Sequence, residues 1–295
     1  MAEEKWYPSK WGEDDEIGAV LSITPQKMID AARLVKIGRT FSLAHVLEDG
    51  IPSVSFHGQF LYSTFHRHSL DLKSPGKLND AGGMNTRIEM ADHTGTHIDG
   101  LNHISIGDRL YNGNLSDEIT GTFGTTKLGI EKTPPIFTRG ILIDVAAFYK
   151  ASTLEGGRAI TAEELGECLN ASGVEVTSGD AVLIRTGWGK YWMSDNSKFL
   201  GPVPGINLSA AKWLEERGAC VVGSDTWNVE VDPATPMRGA DAVHQHLIAK
   251  SGVRMIENLY LEEISQEKVQ EFLFVCLPLR IKGGTGSPVT PLAVI

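Results

Sequence analysis

Cysteine is scarce in this chain. The three copies, Cys168, Cys220 and Cys276, lie far apart, form no CxxC pair and are odd in number. Neither a disulfide framework nor a thiolate metal cage is written in such a pattern. Cys220 and Cys276 sit inside the apolar runs 219–222 and 272–277 and read as small buried residues rather than reactive thiols. Long hydrophobic runs are missing too. No stretch approaches the ~18 residues of a membrane span. The charged opening Met1-Ala2-Glu3-Glu4-Lys5 has no apolar signal core. The expectation is a cytoplasmic protein with no membrane partner. Positive charge is also short, with 27 Lys and Arg against 37 Asp and Glu. No basic cluster is visible, which argues against nucleic acid, since phosphate contacts need one.

What is present is an ordinary globular composition, 41% hydrophobic and 22% charged, without repeats or low-complexity tracts. A chain of this length buries a large core without covalent or metal staples. Any metal it holds is therefore expected to serve chemistry. Thr24-Pro25 predicts a helix over 27–35, with Thr as N-cap, Pro at the first turn and Gly38 past the end. Thr161 with Glu164 three residues on is a capping box, and Gly173 closes that helix. A third helix is expected to begin at Ser209 and stop at Gly218. Short apolar runs at 140–145, 181–185, 220–223 and 272–275 fit strands buried on both faces. The stretch 55–68 reads as a hairpin, and 172–227 as a strand, helix, strand crossover. The fold class is thus mixed α/β. The first ~40 residues, with Trp6, Tyr7 and Trp11, read as an arm packed on the body or on a second subunit. Residues 41–295 are expected to form one domain with a mixed sheet.

The densest chemistry lies in His93-Thr94-Gly95-Thr96-His97-Ile98-Asp99-Gly100-Leu101-Asn102-His103, which holds three of the chain's nine histidines. Imidazole and carboxylate are the usual ligands of Zn, Mn or Fe. His93 and His97 would share a helix face, but Thr-Gly-Thr between them is poor helix sequence. A turn feeding a strand fits better. In a strand His97 and Asp99 face the same side, and Gly95 permits the bend that returns His93 to the same ion. His103 continues the odd-numbered series beyond Gly100.

This stretch resembles the HxGTHxDxPxH signature of the cyclase family, which includes kynurenine formamidases and isatin hydrolases. Further blocks match in order: 139–144, 179–188, 223–226, His244-Gln245, 256–259 and 278–288. The resemblance implies a swivelling β/β/α fold, kynurenine formamidase-like and usually dimeric, using Zn or Mn as one or two ions. It implies that His93, His97 and Asp99 bind the metal, with Asp99 bridging to a second ion completed by His244 and Glu257. It implies that His103 is the general acid/base. Two positions depart from the pattern: Leu101 stands where the motif has Pro, after Gly100. His246 competes with His244 for the ligand role. Residues 11–19 lie outside the formamidase core pattern and suggest a distinct subgroup.

The expected activity is hydrolysis of a small cyclic or N-formyl amide. A divalent ion makes water nucleophilic near neutral pH, and His103 carries the protons. A lactone hydrolase and a non-catalytic metal-binding homologue are the alternatives. The remaining candidates are open between roles. Gly283-Gly284-Thr285-Gly286-Ser287 lacks the Lys and following helix of a phosphate loop and reads as a closing turn near the site. Thr186-Gly187-Trp188-Gly189, Tyr191 and Trp192 line a pocket or simply pack. His57, His66 and His68 are candidate substrate contacts. Asp225 either supports a ligand histidine or caps a turn.

Overall fold

The computed structural model describes residues 5–71, 81–232 and 242–295. Its principal strands, in chain order, are β1 (Thr40–Ser42), β2 (Leu61–His66), β3 (Asn85–Glu89), β4 (His97–Asp99), β5 (Ile136–Asp144), β6 (Ala181–Arg185), β7 (Val221–Ser224), β8 (Arg254–Glu257), β9 (Glu271–Cys276), β10 (Gly286–Pro288) and β11 (Leu292–Val294). Nine of them form one mixed sheet in the order β1-β11-β9-β5-β6-β7-β8-β4-β10. Strands β5, β6, β7 and β8 run parallel, and the strands flanking them pair antiparallel. Every residue of β6, β7 and β8 is buried. That matches the unbroken apolar runs, because parallel strands are covered on both faces.

Three helices pack on this sheet with the expected chemistry. In α1 (Pro25–Ala32), the Thr24 side chain accepts from Lys27 N. The helix ends three residues before the expected Val35: Leu34 and Val35 bond back to Ala31 and Ala32, tightening the last turn. In α2 (Ala162–Ser172), both halves of the Thr161–Glu164 capping box form, and Gly173 takes the left-handed conformation. In α3 (Leu208–Glu216), the cap is Asn207, which accepts from Ala210 N. The expected start at Ser209 is therefore one residue late, because Ser209 instead bonds to Asn207 Oδ1 and Asn207 takes the cap. The β6–α3–β7 segment is the expected crossover between parallel strands.

The stretch 55–68 supplies one strand and not a hairpin. Ser55–His57 forms a tight turn, and β2 pairs instead with β3, across residues that include 72–80, outside the described set. The N-terminal segment packs on the body of its own chain. Asn112 accepts from Ser9 N at 2.6 Å and donates to three backbone carbonyls, those of Gly12, Glu13 and Asp15. Tyr111 Oη donates to Asp15 at 2.5 Å. The three cysteines are buried and free, and burial pushes the thiols of Cys220 and Cys276 up to about 12. Among the described residues, no helix is long and apolar enough to cross a membrane.

Candidate metal centre

Strand β4 lies between β8 and β10, with Glu257 opposite His97 and Gly286 opposite Asp99. The two-residue period sends Ile98 into the core and His97 and Asp99 to the other face. Gly95 has φ +69, a left-handed turn that reverses the chain just before the strand. This is the bend expected from the sequence, and it brings the His93 and His97 rings to 5.1 Å. His93, His97, Asp99, His244 and Glu257 are all buried.

The hydrogen bonds around each imidazole determine which nitrogen is left over. His97 Nδ1 donates to the Gly95 carbonyl at 2.8 Å. Its Nε2 lone pair then faces Glu257 Oε2 at 3.4 Å and Asp99 Oδ1 at 3.7 Å. His244 Nδ1 donates to Glu230 at 3.1 Å, leaving Nε2 at 3.3 Å from Glu257 Oε1. Thr285 Oγ1 donates to Asp92 at 2.9 Å. It therefore accepts from His93 Nε2 at 3.0 Å. The His93 Nδ1 lone pair is left 3.0 Å from Asp99 Oδ1. That contact is close but not aligned as a hydrogen bond: both Asp99 oxygens are buried with no hydrogen-bond partner.

Three electron-pair donors thus face two carboxylates, with nothing but a proton or a cation able to stand between them. A buried carboxylate with neither oxygen bonded is costly unless a positive charge satisfies it. Protons supply that charge in a cation-free cluster. Burial opposes charging His97 and His244, but Glu257 beside the first pushes it up to about 9. Glu230 and Glu257 beside the second push it up to about 10. Burial works against the Glu257 carboxylate, yet His244 and His97 hold it at about 2. Asp99, also opposed by burial, is held below the usual carboxylate range, by His103 first and His93 and His97 after it. The residues present fit a divalent cation.

The ligand atoms fall into two groups that share Asp99. His93, Asp99 and His103 converge within 4.8 Å, as do Asp99, His244 and Glu257. His103 therefore stands among the ligand-type groups; its ring lies 4.1 Å from that of His93. Burial lowers His103 to about 4, so it is neutral near pH 7. His246 bonds Glu215 at 2.9 Å instead and does not join the cluster. Gly100 sits where an added Cβ would meet the Thr285 carbonyl at 2.8 Å, and Leu101 is fully buried in the core.

A cavity of about 400 Å³ opens over the cluster, walled by His57, Ile104, Leu200, Trp227, Asn228 and Asp232 among others. A separate cavity of about 320 Å³ is mainly apolar. Its carboxylate, Asp144, is already paired with Arg185 at 2.9 Å, so the chemistry belongs to the first. The closing turn lies at the site, since Asp92 accepts from Thr285 N and Gly286 N. The aromatic segment after β6 packs: Trp188 donates to the Phe199 carbonyl, and Trp192 stacks on His45 at 4.4 Å. Asp225 caps that segment's turn by accepting from Thr186 and Gly187. His57 reaches the cavity, 5.4 Å from the His93 ring. His66 and His68 lie on β2 and the turn after it, outside the cavity lining. Glu230 and Asp92 were not singled out by sequence, because isolated carboxylates carry no spacing signal.

A model of the Cyclase family, described as "Putative cyclase", matches residues 41–231. A crystal structure of a novel cyclase superposes with TM-score 0.87 at 32% identity, over 97% of this chain and 98% of that one. The kynurenine formamidase of Bacillus thuringiensis subsp. konkukian is 26% identical over 212 residues, 71% of this chain and 80% of that protein. The isatin hydrolase of Roseibium aggregatum is 25% identical over 212 residues, 70% of this chain and 73% of that protein.

Proposed function

The chain belongs to the Cyclase family, and from that premise we propose that it is a metal-dependent hydrolase of a small cyclic or N-formyl amide. One observation carries the reading: three buried imidazoles, each with its far nitrogen tied by a hydrogen bond, turn their other nitrogen toward Asp99 and Glu257. Tying the far nitrogen fixes ring and tautomer, as metal-binding histidines require. His93, His97, Asp99, His244 and Glu257 would hold one or two ions, and their mixed imidazole and carboxylate character suits Zn or Mn. Such an ion, when bound, supplies the positive charge that acidifies water and polarises a carbonyl.

The chain's own residues do the rest. The His103 imidazole is neutral at working pH and is tied by no hydrogen bond to a described residue, so it is free to take a proton from water and return it to the leaving nitrogen. The cavity of about 400 Å³ suits a small molecule rather than a polymer. Two relatives, a kynurenine formamidase and an isatin hydrolase, carry names that denote amide hydrolysis, which favours amides over lactones.

The test pairs two variants with elemental analysis and a panel of N-formyl arylamines, lactams, imides and lactones. His103→Ala is expected to retain metal and lose most turnover. His97→Ala is expected to lose both. Full activity of metal-free His97→Ala would reject the mechanism, and turnover of lactones alone would move the assignment to a lactone hydrolase.

A further inference from the structure

We propose that Asp232 is a specificity-determining residue, which selects substrates presenting an ammonium or N–H group to it and rejects those presenting a carboxylate. The inference rests on the hydrolase reading above and names the substrate class for the same cavity. Asp232 lines that cavity together with His93, His103 and Glu257. Its carboxylate forms no hydrogen bond or ion pair with a described residue; only its backbone N–H is engaged, with Val203. Burial pushes its pKa up.

The rest of the wall has the same character. Among the described residues, no Lys or Arg lines the cavity. Trp227 spends its indole N–H on the Gly201 carbonyl at 3.0 Å. Asn258 donates its Nδ2 to the Gly95 carbonyl at 2.8 Å, which fixes the amide's orientation. Its Oδ1 is left as a buried acceptor with no partner, and Thr94 Oγ1 nearby is likewise unpaired. Asp232 therefore brings a negative charge to a described wall that holds no cationic Lys or Arg side chain. Beside Asp232, away from the cluster, a substrate carboxylate would meet like charge with no Lys or Arg among the described lining residues to balance it. An amine or N–H would find in Asp232 a carboxylate with no side-chain partner among the described residues, ready to accept.

The experiment uses the metallated protein and three N-formyl anilines that differ only at the para position: aminomethyl, methyl and carboxylate. Wild type is expected to favour the aminomethyl over the carboxylate compound on the order of tenfold in kcat/KM, as a partly solvated charge contact gives. Asp232→Asn should bring that ratio near one, and Asp232→Lys should invert it. Both changes should appear in KM rather than kcat, because the group contacts the substrate away from the scissile bond. High salt should shrink the wild-type ratio. A ratio untouched by either substitution overturns the proposal. If no compound is hydrolysed, the hydrolase reading fails instead. The charge preference is then read from dissociation constants of the same compounds by calorimetry, and a wild-type protein without preference there overturns the proposal too.

Discussion

Gly286→Ala should cripple cation binding through one added methyl group. Gly286 lies opposite Asp99 in the β10–β4 pair. Its φ lies outside the left-handed region, so alanine strains no backbone torsion there. The obstacle is the His93 ring. An added Cβ would sit 2.7 Å from Cε1, 3.0 Å from Nε2 and 3.1 Å from Nδ1. Carbon contacts settle near 3.5–4.0 Å, so the ring must move by about 1 Å. It has little room, because Thr285 holds Nε2 and Thr285 is itself held by Asp92. Ligand positions tolerate only about 0.2 Å. We expect a loss of at least about 10–100-fold in Zn or Mn affinity. The overpacking cost should be about 1–3 kcal/mol, small enough for the chain to fold. The assay strips metal with a chelator, titrates it back by calorimetry, and follows unfolding in parallel. A folded Gly286→Ala protein with wild-type cation affinity would refute the assignment of His93 as a ligand.

Other outcomes follow from the same geometry. Glu230→Gln should weaken cation affinity about 10–100-fold by releasing His244 Nδ1, whereas Glu215→Gln, which touches His246, should leave it unchanged; calorimetry separates the two. Cation affinity should climb as pH rises from 6 toward 9, because His97 and His244 are pushed up to about 9 and about 10 and must shed protons to bind; titrations in buffers of different ionisation enthalpy count those protons, and a pH-independent affinity would contradict the carboxylates' hold on the two imidazolium protons. His45, stacked on Trp192 and lowered by burial to about 4, is neutral in the fold and protonates first in the unfolded chain. It therefore costs stability as pH falls from 6.5 to 4, by at most about 3 kcal/mol, and costs nothing above 6.5. Urea melts of His45→Phe against wild type should diverge in the variant's favour over that window alone.

The parts of the site that were legible in sequence are those set by local rules. Period two placed His97 and Asp99 on one face, Gly95 supplied the reversal, and the Thr161–Glu164 capping box formed as written. Pairings across long separations were not legible. His244 and His246 look alike in sequence, and only the fold sets Glu230 beside one and Glu215 beside the other. Residues 55–68 carried a strand signal, but the partner strand of β2 lies at 85–89, beyond any local pattern. The start of α3 shifted because Asn207 and Ser209 are both good caps and they bond each other, leaving Asn207 to take the helix N–H. The departure at Gly100 became intelligible only once the Thr285 carbonyl was seen against it.

Anomalous diffraction from crystals soaked in Mn or Zn addresses the core of the account. It should show density bounded by Asp99, His93, His97, His244 and Glu257, and none in His97→Ala crystals treated alike. A fully soaked crystal with that cluster empty, or with the ion held elsewhere, would contradict it.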